Sequence, residues 1–120
     1  MLAVIDYGSG NLKSVSQALS KAVSQAGLRE KVIVTRNPSD LYAAERLVLP
    51  GVGAFGDCMV GLQAVPGMID AIQEITLKQG KPFLGICVGM QLMADLGAEN
   101  GRHKGLSWIG GEVKPLPKRG

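Results

Sequence analysis

Aromatic side chains are scarce, only 4% of 120 residues, so any core must be built from aliphatic groups. Histidine occurs once, at His103, and cysteine twice, at Cys58 and Cys87. The two cysteines are far apart and have no metal-ligand spacing, which argues against a bound metal and against the disulfide framework of a small secreted domain. Long hydrophobic runs are missing as well. None approaches the roughly 20 residues of a membrane span. The opening Met1-Leu2-Ala3-Val4-Ile5-Asp6 lacks the basic start and cleavage site of a signal peptide. The expectation is a protein of the reducing cytoplasm without membrane contact. A strong excess of one charge is absent too: the formal net charge is +3, spread along the chain. Nucleic-acid binding normally needs a concentrated basic stripe, so it is not expected. Lys118 and Arg119, in a Pro-rich tail, read as a solvated end.

What is present is glycine, 17 residues of it, and a regular alternation of short apolar runs with helical periodicities. Leu2-Ala3-Val4-Ile5 reads as a buried strand. Leu12, Val15, Leu19, Ala22, Val23 and Ala26 then follow helical spacing, with Gly27 placed to end that helix. Lys31–Thr35 and Arg46–Leu49 read as the second and third strands, closed by Asn37-Pro38 and Pro50-Gly51. Met68, Ile69, Ile72 and Ile75 mark a helix with Pro66 suited to its first turn. Lys81–Ile86 is the fourth strand, and Leu92 and Met93 continue a helix after it. Strands that are apolar throughout and alternate with helices imply a single α/β domain over 1–120, a three-layer open sheet, mainly parallel. Beyond Asp95 the pattern weakens, and Trp108–Val113 reads as a further strand left without a covering helix, so the fold is expected to be truncated at its C-terminal side. Right-handed crossovers collect three glycine-rich loops at one sheet edge, where open α/β sheets bind ligands: Gly8-Ser9-Gly10, Pro50-Gly51-Val52-Gly53 and Gly85–Gly89.

Gly85-Ile86-Cys87-Val88-Gly89 has the G-x-nucleophile-x-G form of a nucleophile elbow, with cysteine as the nucleophile. A sharp strand-to-helix turn would lift the sulfur from the sheet edge. The helix beginning at Val88 would favour its thiolate, and the Val88 amide could donate to an oxyanion. The alternative is that Cys87 is a small buried hydrophobe between two packing glycines. Cys58, after Gly56-Asp57, reads as structural. His103 lies between Arg102 and Lys104 and reads as a solvated surface residue rather than the base a cysteine nucleophile needs.

Gly85-Ile86-Cys87-Val88-Gly89-Met90-Gln91 resembles the nucleophile motif of the class I glutamine amidotransferases, whose fold is flavodoxin-like. Pro50-Gly51-Val52-Gly53-Ala54-Phe55 is similar to the version found in glutaminase subunits of imidazole glycerol phosphate synthase, as are Asp6–Asn11 and Gly105–Ile109. The resemblance implies hydrolysis of L-glutamine to glutamate and ammonia without a cofactor. It also implies a (β/α)8-barrel cyclase subunit as partner, using the ammonia in histidine biosynthesis. By the same resemblance Cys87 is the nucleophile, and the amides of Val52 and Val88 form the oxyanion hole. Gly51, Gly53 and Gln91 hold the glutamine, and Asn11 lies near the cyclase interface. The family's His-x-Glu, which completes the triad, has no counterpart before Gly120, so this chain by itself is expected to be inactive. Two other readings stand beside this one. Another elbow-cysteine hydrolase of related fold would not need the Pro50–Phe55 loop. A nucleotide-binding module would use Gly8-Ser9-Gly10 as its phosphate cradle, but Lys13 stands where a third glycine belongs.

Overall fold

The apolar run at the start of the chain becomes the second strand of a four-stranded sheet. In the computed structural model, which describes residues 1–99 and 101–116, β1 (Leu2–Ile5) is buried along its whole length. β2 (Val32–Thr35), β3 (Arg46–Leu49) and β4 (Phe83–Gly85) complete the sheet in the order β2-β1-β3-β4, and every pairing is parallel. The Lys118–Arg119 tail lies outside the described residues.

Helices cover both faces, which is the three-layer arrangement the apolar strands demand. α1 (Leu12–Gln25) lies on one face, where Leu12, Val15 and Leu19 pack against Leu2, Val4 and Val48. Gly27, at φ 70°, ends this helix, with Leu28 N–H bonded to Val23 O and Gly27 N–H to Ser24 O, a Schellman closure. The opposite face carries the larger core: Ala3, Ile5, Leu47 and Leu49 from the strands meet Leu41, Phe55, Leu62, Met68, Ile72 and Ile75 from the helices. Those helices are α2 (Pro38–Ala43), α3 (Phe55–Ala64) and α4 (Met68–Gln73), the last running on into a π-helical turn over Glu74–Lys78.

Several local expectations change. Asn37-Pro38 reads as a turn but starts α2: Asn37 Oδ1 accepts from Ser39 N–H at 3.1 Å, and Pro38 occupies the first helical turn, where its missing donor costs nothing. Pro66 is outside α4, whose N-cap is the left-handed Gly67. The helix after the elbow, α5 (Val88–Gln91), is a single turn, because Leu92 and Met93 leave it to enter β5 (Ala94–Gly97). β5 centres a second small sheet, antiparallel to β6 (His103–Lys104) and parallel to β7 (Ile109–Val113). That last strand is the one expected from Trp108–Val113.

Candidate active site

Cys87 sits at the junction of β4 and α5 and is exposed. Gly89 N–H bonds to Ile86 O at 3.0 Å, closing a tight turn around it. Its backbone, at φ 56° and ψ −124°, is the corner conformation of a type II′ turn, which glycine normally takes. A cysteine held there is strained, and such strain gathers at functional sites. The neighbouring glycine is required by contact: a Cβ on Gly89 would run into the Leu49 carbonyl at the end of β3. The turn is therefore seated directly on the sheet edge, and the sulfur points away from the core. The hydrophobe alternative for Cys87 does not survive this exposure.

A one-turn helix offers little dipole, and each of the four N–H groups of α5 already has a backbone acceptor, so the expected electrostatic activation by α5 is small. Val88 N–H donates to Gly51 O at 3.2 Å. That bond joins the elbow to the Pro50–Gly53 loop and brings Gly51 and Val88 together. Val52 follows, 56% exposed, but its N–H donates to Ser9 Oγ at 3.1 Å. Ser9 Oγ in turn donates to Val52 O at 2.9 Å and lies 3.3 Å from Cys58 Sγ. Both expected oxyanion donors thus have internal acceptors in this state. Gly53 is exposed at φ 97°, and Gln91 is half-buried at the end of α5. Asn11 caps α1 from an exposed position, its Oδ1 accepting from Ser14 N–H at 3.5 Å.

Sequence reasoning missed the layer beneath the loop. Tyr7, 4% exposed, donates to Pro50 O at 2.5 Å. Cys58, buried on α3, donates to Val52 O at 3.4 Å. Burial pushes the Tyr7 phenol far above the ordinary tyrosine range, helped by the adjacent Cys58 thiol, so it remains a donor. Nothing local in the sequence places Cys58 beside Ser9, because they are 49 residues apart, with α1, β2, α2 and β3 between them. His103 also differs from its expected place. It is half-buried on β6, and its ring lies so close to α3 that a Cβ on Gly56 would come within 2.7 Å of it. The surface hollows include one of about 370 Å³ lined by Tyr7, Arg36, Gly61, Ala64, Val65 and Pro66, and none of those described is lined by Cys87.

The family model for class-I glutamine amidotransferases matches residues 3–117, with the elbow and both companion loops inside the match. The chain belongs to this family. Among the family's curated members, it is similar to the imidazole glycerol phosphate synthase subunit HisH of Rhodospirillum rubrum, 53% identical over 96% of this chain and 54% of that protein. The HisH subunit of Zymomonas mobilis is 54% identical over 96% of this chain and 53% of its own length. That of Bradyrhizobium diazoefficiens is 51% identical over 98% and 55%. The chain therefore spans about half the length of the relatives it matches. Among the described residues of this amidotransferase chain, no helix is long and apolar enough to cross a membrane, and no cluster of three metal-ligating side chains occurs.

Proposed function

We propose that this chain carries the nucleophile half of a glutaminase that supplies ammonia to a (β/α)8-barrel cyclase subunit of imidazole glycerol phosphate synthase. The observation that supports this most is Cys87, exposed on a strained elbow and joined through Val88 N–H and Gly51 O to a second glycine-rich loop. The Cys87 thiolate attacks the side-chain amide carbon of glutamine, and the carbonyl electrons move onto oxygen. Collapse of that tetrahedral adduct expels ammonia once the nitrogen is protonated, leaving a glutamyl thioester. Water then adds to the thioester, releasing glutamate and the thiol.

The amides of Val88 and Val52 are the assigned oxyanion donors. For these donors to serve, Val52 N–H must leave Ser9 Oγ and Val88 N–H must leave Gly51 O. Gly51, Gly53 and Gln91 border the space where the glutamine would lie. Asn11, on the same sheet edge, is assigned to the face met by the cyclase. The base that deprotonates the thiol is assigned to the family's His-x-Glu motif, in the half of the relatives outside the match. His103 is held against Gly56 on α3 and is not assigned this role. A cytoplasmic setting would keep the thiol reduced.

The test is glutamate release from glutamine by the glutaminase in complex with the cyclase. Cys87→Ala should lower the rate at least about a thousandfold with the complex intact. Activity close to wild type in that variant overturns the assignment.

A further inference from the structure

The loop that carries Gly51 and Val52 is held by Tyr7 as well as by Ser9 and Cys58, and no reading of the reaction gives the tyrosine a part. Tyr7 lies two residues past the end of β1, and its ring lies under α3. The fit is tight: a Cβ on Gly61 would sit 3.1 Å from the Tyr7 carbonyl and 3.5 Å from its ring. The ring is thus packed against α3 and buried. Its oxygen then does two things. It donates to Pro50 O at 2.5 Å. It also forms a wall beside Gly51, where a Cβ would come within 2.6 Å of the hydroxyl, 2.8 Å of Gly89 N and 3.2 Å of Val88 Cβ. The phenol and the elbow therefore both close on the space that a side chain at Gly51 would need. The Gly51 carbonyl meets Val88 N–H.

We propose that Tyr7 is a positioning residue of the glutaminase reaction, its hydroxyl fixing the Pro50–Gly51 peptide so that the loop stays seated against the elbow and the two sets of amides reach one oxygen of the substrate once Val52 and Val88 N–H leave their internal acceptors. This rests on the glutaminase reading above. Tyr7 touches neither the sulfur nor any reacting atom. It acts through Pro50 and Gly51, and so its effect falls on the oxyanion rather than on the exposure of the thiol. The phenol, kept protonated by burial, holds this role across the neutral and alkaline range.

Two alkylating probes separate the possibilities. Iodoacetamide reports only how exposed and ionised Cys87 is. A chloromethyl ketone bearing the glutamine skeleton presents a carbonyl oxygen to the amides before the sulfur bonds to the methylene carbon and chloride leaves. In wild type the glutamine-shaped ketone should label Cys87 in preference to a ketone lacking that skeleton. Tyr7→Phe, which removes one oxygen atom, should slow the glutamine-shaped probe about tenfold to a hundredfold and leave iodoacetamide unchanged. Tyr42→Phe, at an exposed tyrosine, should alter neither rate. Hydrogen exchange at the Val88 amide supplies a readout independent of labelling. It should quicken about tenfold in Tyr7→Phe while the β3 amides keep their protection. Equal labelling by the glutamine-shaped probe in wild type and Tyr7→Phe overturns the proposal, as does an equal slowing of both reagents, which would mark a merely structural role. A wild type with no preference for the glutamine skeleton removes the glutaminase reading instead. Val88 exchange then decides the clamp alone, and an unchanged rate in Tyr7→Phe overturns it.

Discussion

At Cys87, stability and chemistry pull in opposite directions. A non-glycine residue at positive φ costs about 1–3 kcal/mol, and nothing but the surrounding turn holds it there. Glycine at position 87 would relieve the strain and give back only part of the gain through its larger unfolded-state entropy. Cys87→Gly is therefore expected to raise the free energy of unfolding by about 1 kcal/mol while eliminating alkylation at that position. Urea titration with paired thiol labelling checks it, and a destabilised variant would show that the turn is not strained. This corner was legible in the sequence because glycines flank it and glycine marks backbone that side chains cannot accommodate. The support beneath the loop was not. Tyr7, Ser9 and Cys58 each look ordinary in the chain, and only the packing of α3 across β1 gives them shared work.

Among the elements, the strands were the most readable, since four-residue aliphatic runs such as Leu2–Ile5 have no other stable place than a sheet covered on both faces. The helices were less so. α3 buries Phe55, Cys58, Met59 and Leu62 at helical spacing, but the exposed Val60 and the glycines Gly56 and Gly61 blur that stripe in the sequence. The shortness of α5 is set by β5, a strand whose partners lie further along the chain, so local pattern could not give it. The strand ends are tied by Glu30, which bonds Arg46 Nη1 at 2.8 Å and lies 3.4 Å from the N-terminal ammonium. The hydrogen bond from Arg46, more than any other influence, holds its carboxyl below the ordinary 4.5. A carboxyl with a lowered native pKa adds stability above its unfolded value and loses it as pH falls through the native one. Between about pH 6 and about pH 3, the urea midpoint of wild type should therefore fall slightly more than that of Glu30→Gln, the difference being small because solvent screens the pair. Parallel titration curves for the two proteins would show that the ion pair adds nothing.

For the whole molecule, the two sheet faces are unequally covered. The α2–α4 face is sealed, whereas α1 alone shields the other, leaving Leu84 50% and Val34 42% exposed. Beside Leu84 runs a hollow of about 150 Å³, lined also by Leu2, Leu19, Val48 and Phe83. Among the described pairings β4 has a partner on one side only, so its outer backbone groups are open beside this apolar strip. Such a surface favours self-association. Leu84→Lys should keep the native circular dichroism and shift the sedimentation of concentrated samples toward monomer. Identical sedimentation would mean that contacts form elsewhere.

The order β2-β1-β3-β4 also carries a consequence for synthesis. Within this sheet the strand made earliest is an interior one, and both of its neighbours are made later. Leu2 waits for Val32 on one side and then for Arg46 on the other. During translation β1 is thus a bare aliphatic ribbon with two empty flanks, closed in turn as each α-helical crossover is finished. Slow codons placed after residue 49 would give the nascent chain time to trap that ribbon, whereas a stall before it would leave the most adhesive segment unshielded at the tunnel exit.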